Sequence, residues 1–327
     1  MNTTMNGSSC SSPLNSTAAK TGVTFAYCLM FVVSLVGNSF IGIVVYKTQT
    51  LRKPVNYFIV NMAMSDLPYP LFWIPIRLTG LFMESWLVGG SLGQVLCKLV
   101  SLLGRISVIV SAQSLVLIAV DRFGAVVFPL RSHLISSKMC RFFILATWTV
   151  AVAVFSPYLF VFKRVEYQAG NLHCVSTGWK AALGESSSLA NYFLAICVVF
   201  ICVPTVLLVI LYSIIVVKLK TQKIPGEQSV NAEQQRAKRN RNVLKMAIAI
   251  VVGFVLCWVP WSITNFLSLF AWESDRTLPF GFYLYHHIAF LISLLSFVIN
   301  PCICFTFSGN YRQGLKRLLK CSIPVQE

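Results

Sequence analysis

Three ionisable residues, Asp66, Arg77 and Arg105, stand isolated inside long apolar stretches, and Asp121 and Arg122 stand side by side at the end of one such stretch (IAVDRFGAVVFPL, residues 118–130). If those stretches lie in lipid, each isolated charge costs roughly 3 kcal/mol, so each calls for a partner or a function. The chemistry open to them is charge binding and charge exchange. An adjacent acid and base neutralise one another, a carboxylate among hydroxyls and amides suits a hard cation, and an arginine seeks an anion. Bond-making chemistry is not indicated, and no enzyme is expected. The sequence has no metal triad, nucleophile elbow or phosphate loop. His286 and His287 are adjacent, so their side chains diverge on a helix and make a poor metal pair.

The elements that must position these residues follow from composition. Of 327 residues, 56% are hydrophobic and 11% charged, whereas a soluble domain carries roughly a quarter charged residues. The apolar residues gather in seven blocks, 23–46, 54–82, 99–120, 142–162, 189–217, 246–272 and 280–307. Each has the length of a spanning helix, about 20 residues. Lipid cannot satisfy open backbone groups, so helices are expected and the chain reads as an all-α membrane protein. Several blocks hold proline, which a membrane helix tolerates as a kink.

Orientation follows from the connections. Segments 47–53, 131–141, 218–245 and 308–327 hold 18 Lys and Arg against three acids, and the other side holds six against five. The positive-inside rule puts the C-terminus in the cytoplasm and, with an odd number of spans, the N-terminus outside. The net charge of +17 is mostly this signal; its bases lie beside membrane spans, which argues against nucleic acid as a partner. Asn2, Asn6 and Asn15 each begin a glycosylation sequon, in keeping with an outer tail. No basic segment, apolar core and cleavage site precede them, so the first helix is expected to act as the insertion signal. Most of the eleven cysteines lie in apolar blocks, where they act as small hydrophobes. Cys97 and Cys174 both fall on the oxidising outer side and are expected to pair, with two free thiols as the alternative. Cys10 has no evident partner.

The expected organisation is an outer glycosylated tail (1–22), a helix bundle (23–307) and a cytoplasmic tail (308–327). In the outer loop, Ala169-Gly170-Asn171 suits the turn of a β-hairpin. Pro225-Gly226 breaks the longest inner loop. Gly309-Asn310 is expected to end the last span, and YRQGLKRLLKC then sets Tyr311, Leu315, Leu318 and Leu319 on one face, which suits a short helix on the lipid surface. Cys321 at its end is a candidate for palmitoylation.

Further residues fall in series on these blocks. They are Gly37-Asn38 in the first; NMAMSD, ending at Asp66, in the second; then Trp86; Cys97, Asp121-Arg122-Phe123 and Pro129-Leu130 around the third; and Trp148, then Pro157, in the fourth. Pro204 and Tyr212 follow in the fifth, Phe254 and Cys257-Trp258-Val259-Pro260 in the sixth, and Asn300-Pro301 in the seventh. Over residues 23–321 the chain resembles the rhodopsin-like (class A) G-protein-coupled receptors, and within them most resembles the neuropeptide receptor subgroup.

The resemblance implies a seven-transmembrane helix bundle with a short amphipathic eighth helix, in the plasma membrane. It implies an extracellular ligand that shifts a two-state bundle, and a heterotrimeric G protein, with arrestin, at the inner face. Activation and coupling would then fall to Asp121, Arg122, Phe123, Leu130, Tyr212, Phe254, Trp258, Pro260, Asn300 and Pro301. Arg122 would exchange Asp121 for the G protein, Leu130 would insert into it, and Pro260 would kink the sixth helix. Asn38, Asp66, Ser111, Ser296 and Asn300 would line a polar cavity for a sodium ion, or Asp66 would only tie helices together. No other cofactor is implied.

Ligand contacts would come from Tyr69, Trp73, Arg77, Gly104, Arg105, Trp258, Trp261, Asn265, Tyr285 and His286. Gly104 stands where amine receptors of the family have their aspartate, and the seventh helix lacks the opsin lysine, so a cationic amine or retinal is not expected. The two arginines call for an anion: a ligand carboxylate, a protein acid such as Glu84, or water. The aromatic rim with Glu273 and Asp275 suits a neuropeptide; a lipid or other anionic small molecule, or a scavenger that does not signal, are the alternatives. A transporter is disfavoured because the hydropathy shows no paired halves. The chain departs from the family at Phe123, at Asn240 and at Cys304, which stands where the family has the tyrosine that joins Tyr212 through water.

Overall fold

A computed structural model describes residues 16–83, 85–86, 88–128, 135–166, 172–176, 186–221, 230–270 and 280–321. The helices are α1 (Thr17–Lys47), α2 (Pro54–Asp66), α3 (Ile74–Met83), α4 (Gly90–Val127), α5 (Ser137–Phe155) and α6 (Tyr158–Val161). Then come α7 (Ser186–Cys197), α8 (Val203–Thr221), α9 (Val230–Phe270), α10 (Phe280–Leu294), α11 (Ser296–Phe307) and α12 (Gly309–Cys321). Two strands, β1 (Phe162–Glu166) and β2 (Leu172–Ser176), pair antiparallel with Arg164 opposite Cys174. The strands of the expected hairpin are therefore present, and the residues of its turn lie outside the described part.

Local chemistry sets several boundaries. The Ser16 hydroxyl caps α1 by accepting from Ala19 N at 3.2 Å, and Ser136 caps α5 by accepting from Met139 N at 3.3 Å. Each satisfies a helix-terminal N–H that has no partner inside the helix. Pro54 opens α2, where a missing N–H costs nothing. The third block is longer than its apolar run: α4 begins at Gly90, so Cys97 lies two turns inside the helix rather than at its start. The last break also moves. Ser308 is extended and Gly309 already begins α12, so the chain turns one residue before Gly309-Asn310.

The second block is not one continuous helix. Between α2 and α3, Tyr69–Trp73 forms a π turn, closed by Ile74 N donating to Tyr69 O. Pro68 and Pro70 stand here without N–H groups, so the normal ladder cannot run through them. A π turn inserts one residue, which rotates everything beyond it by about 100°. A second π turn, Val198–Cys202, separates α7 from α8.

Packing is inverted relative to a water-soluble protein. Phe25, Leu29, Val32, Phe142, Leu145, Val206 and Val209 point outward, while Asn38, Asn61, Ser65, Asp66, Ser111, Ser114 and Asn300 are buried. Lipid accepts the first set at no cost, whereas the polar set must find partners between helices. Among the described residues, six helical segments are long and apolar enough to cross a membrane: Thr17–Lys47, Gly90–Val127, Ser137–Val161, Asn191–Lys218, Leu244–Ser268 and Leu284–Phe307. The divided α2–α3 segment runs beside them, with α2 against both α1 and α4. Helices approach closely at Gly37, where a Cβ would meet Pro301 Cβ at 2.7 Å. A glycine there lets α1 lie directly on α11.

The β-hairpin marks one end of the bundle and the turn Gln49–Leu51, with Asp121 and Arg122, the other. At the hairpin end, Cys174 of β2 is bonded to Cys97 of α4, with Cα atoms 5.6 Å apart. Gln94 of α4 holds β1 by accepting from Arg164 N at 2.9 Å and donating to Phe162 O at 3.3 Å.

Candidate functional site

At the hairpin end, a cavity of about 760 Å³ is lined by residues that include Tyr27, Arg77, Trp86, His173, His287 and Phe290. Beyond the π turn, Arg77 lies on the cavity wall, with Trp73 packed against the guanidinium. The Arg77 guanidinium lies 4.4 Å from the Trp73 ring centroid and 5.1 Å from that of Phe290, a cation–π arrangement. The rings below are continuous. Tyr69 stacks on Trp73 at 4.9 Å and on Phe297 at 4.4 Å; Trp73 meets Phe290 at 4.8 Å, and Phe290 meets Trp261 at 5.0 Å. Phe297 in turn meets Trp258 edge-on at 6.2 Å. This layer joins the second, sixth and seventh spans directly beneath the cavity.

Arg105 faces a different space. A narrow cavity of about 110 Å³ is lined by residues that include Arg105, Phe155, Phe193, Trp258, Trp261 and Asn265. Asn265 Nδ2 donates to Trp261 O at 2.7 Å, and Trp258 Nε1 is buried without a hydrogen-bond partner. Arg77 and Arg105, grouped by the sequence, are thus divided between two cavities. Among the described residues, the one ion pair is Asp121–Arg122; Glu84, Glu273 and Asp275 lie outside the described part. A Cβ at Gly104 would lie 3.7 Å from both Tyr69 and Trp73, so Gly104 backs the aromatic layer. His286 packs on Trp261 at 4.8 Å. Tyr285 is exposed and lines neither cavity.

Below the aromatic layer lies a polar core. Asp66 is fully buried. Its Oδ1 accepts from Ser111 Oγ at 3.0 Å and its Oδ2 from Asn300 Nδ2 at 2.9 Å. The other members of the expected set bond elsewhere. Asn38 Nδ2 donates to Ser34 O, Ser34 Oγ and Phe297 O, and Ser296 Oγ donates to Ser293 O. Asn38 Oδ1 is buried and unpartnered. A carboxylate beside a hydroxyl supplies oxygens of the kind a hard cation prefers.

At the opposite end, Arg122 Nε donates to Asp121 Oδ2 at 3.1 Å, and Nη2 reaches the same oxygen. Asp121 is buried and Arg122 half-buried, so the pair sits at the edge of the packed core. Phe123 meets Phe128 edge-on at 6.1 Å, and Phe254 lies 6.1 Å from Trp258. The Tyr212 hydroxyl is buried without a partner. Cys304 is fully buried, and Pro260 and Pro301 lie inside α9 and α11. Leu130, Asn2, Asn6, Asn15 and the side chains of Asn240 and Cys321 lie outside the described part.

Two polar nodes are absent from the sequence reading. Asn61 joins three helices: its Nδ2 donates to Ser114 Oγ at 2.9 Å and Thr147 Oγ1 at 3.3 Å, and its Oδ1 accepts from Trp148 Nε1 at 2.9 Å. The available signal was an asparagine inside an apolar block, which must find partners. The second node is Asn56 with Tyr311. Tyr311 reads in sequence as one more residue of an apolar face.

The family model for the 7 transmembrane receptor (rhodopsin family) matches residues 37–303. The chain is 28% identical to a QRFP-like peptide receptor of Branchiostoma floridae, over 95% of this chain and 80% of that one. It is 27% identical to the RYamide receptor of Drosophila melanogaster, over 91% of this chain and 63% of that one. It is 26% identical to the substance-K receptor of Bos taurus, over 91% and 75%.

Proposed function

The chain belongs to the rhodopsin family of seven-transmembrane receptors, and from that premise we propose that it binds an extracellular peptide and activates a heterotrimeric G protein. It is a multi-pass membrane protein. On this reading it sits in the plasma membrane with its glycosylated tail and hairpin outside, and with α12 on the inner leaflet anchored at Cys321. Arrestin would compete for the inner face.

The observation that carries the reading is the aromatic layer from Trp73 through Phe290 and Trp261, with Phe297 and Trp258. It lies between the Arg77 cavity and the Asp66 core, so a ligand that shifts these rings shifts three spans together. The named functions of the relatives support a peptide. Arg77 and Arg105 would each receive an anionic or carbonyl group of it. The buried Trp258 Nε1 would donate to whatever acceptor the ligand carries into the narrow cavity.

A sodium ion would be held by Asp66, Ser111 and Asn38. There it would supply a positive charge that offsets the buried carboxylate. At the basic end, Arg122 would leave Asp121 and turn to the G protein. A chain that binds peptide without G-protein turnover is the second reading, carried by Cys304 in the place of a tyrosine.

The test is a peptide and lipid library applied to cells with a promiscuous G-protein reporter, with Arg105→Ala and Arg122→Ala alongside. A peptide hit that loses potency in Arg105→Ala, and that still binds but does not signal in Arg122→Ala, supports the reading. Hits confined to lipids overturn the peptide assignment, and binding without turnover in the unaltered protein identifies a scavenger.

A further inference from the structure

The phenol absent at position 304 is present seven residues later, and it is bound. Tyr311 of α12 is 1% exposed, and its hydroxyl donates to Asn56 Oδ1 at 3.3 Å. Asn56 Nδ2 donates in turn to Leu51 O at 2.7 Å. A hydrogen-bonded line therefore runs from α12, through the first turn of α2, to the turn Gln49–Leu51 that follows α1. The ring is held as well. It meets Phe305 of α11 edge-on at 6.2 Å and shares one buried cluster with Cys304 and Val44. One turn on, a Cβ at Gly314 would lie 2.5 Å from Val44 Cγ1, so α12 lies against α1 with no room for a side chain.

We propose that Tyr311 is a positioning residue that latches the basic ends of α11 and α12 to α2, and that release of its bond to Asn56 is a step in receptor activation. The proposal rests on the receptor reading above. Ser308 is the single residue between α11 and α12, so movement of the basic end of α11 carries Tyr311 with it. Separating a buried hydroxyl from a buried amide oxygen leaves both unpartnered in apolar surroundings, so the bond resists that movement. A tyrosine at 304 would sit on the moving helix itself. The phenol at 311 instead ties that helix to a neighbour, while the Tyr212 hydroxyl is left without a partner. The chain thus holds its phenol on the side of the resting arrangement.

Removing the bond favours the displaced arrangement by the net worth of one hydrogen bond, about a fivefold change in the equilibrium. Tyr311→Phe deletes one oxygen and keeps the ring. The test compares the unaltered protein, Tyr311→Phe, Asn56→Ala and the double variant, each full-length in lipid nanodiscs. Nitroxides on an unnatural ketone amino acid at the exposed positions Lys53 and Lys316 report the separation of α12 from α2 by pulsed electron resonance. GTPγS uptake by added heterotrimeric G protein, with no ligand present, reports signalling. A latch predicts a longer or broader distance distribution in Tyr311→Phe. It also predicts about a fivefold rise in unliganded turnover, with no further rise in the double variant. An unchanged distance distribution overturns the proposal. So does a changed distribution with unaltered turnover in a protein that does turn over, since Tyr311 is then an anchor alone. If none of the four proteins turns over any G protein while the distances change as predicted, the latch stands and the coupling assignment falls.

Discussion

Asn300 Nδ2 donates to Asp66 Oδ2 at 2.9 Å, joining two fully packed helices across 234 residues of chain. With Ser111 on the other oxygen, it gives the one buried carboxylate of the bundle centre a donor on each side. Removing either donor strands a buried carboxyl oxygen, at a cost of about 1–3 kcal/mol. Asn300→Ala is therefore expected to lower the thermal unfolding midpoint of the purified receptor clearly more than Ser262→Ala, whose hydroxyl only returns to its own helix at Trp258 O.

The same carboxylate is the charge a sodium ion would answer. Asp66→Asn is expected to abolish any difference in G-protein turnover between sodium chloride and choline chloride at equal ionic strength. A sodium response that persists in Asp66→Asn removes the site.

Asp121 and Arg122 neutralise each other at the basic end. Asp121→Asn leaves Arg122 without its counter-charge and is expected to raise unliganded GTPγS uptake several-fold. Arg122→Ala is expected to abolish uptake while leaving surface expression intact. If Asp121→Asn is as silent as Arg122→Ala, the pair only anchors the helix.

The Cys97–Cys174 bond closes a loop with a sequence separation of 77 and holds β2 over the cavity. Loss of such a bond costs about 2–5 kcal/mol. Cys174→Ser is expected to reduce surface expression and thermal stability together, and Cys10→Ser to change neither. Flow cytometry of a tagged N-terminus, with thermal unfolding, reads both.

Cys304 is fully enclosed, so a larger side chain there must displace its neighbours. Cys304→Tyr is expected to destabilise by about 1–3 kcal/mol through overpacking, read as a lowered unfolding midpoint. The Asn61 node is weakened by lost bonds rather than by added bulk. Its three bonds cross helices in lipid, where each is worth about 0.6 kcal/mol, so Asn61→Ala should cost about as much as the single overpacked site.

Much of the receptor was legible from residue order. The hydropathy blocks recovered the spans, and the two outer cysteines recovered the disulfide. The series from Asn38 to Pro301 pointed to the family that the matched residues 37–303 confirm. The misses have one kind of cause. The second block looks uniform, yet Pro68 and Pro70 accompany a π turn that resets the facing of Trp73 and Arg77. Asn38 and Ser296 direct their donors to Ser34, Phe297 and Ser293, a choice that residue order does not record. Tyr311 looked like one residue of an apolar stripe because its partner Asn56 is 255 positions away.

The sequence by itself determined the number and placement of the apolar blocks, the side on which the basic residues gather, and which few polar groups must lie between helices. Those follow from lipid, which sets a length, excludes open backbone and penalises every stray charge, whatever the packing. Only the tertiary structure decided which polar groups meet: Arg77 apart from Arg105, Asn61 with Ser114, Tyr311 with Asn56. Such contacts depend on helix rotation, and a single added residue in one turn swings a side chain about 100°, a quantity that hydropathy does not record.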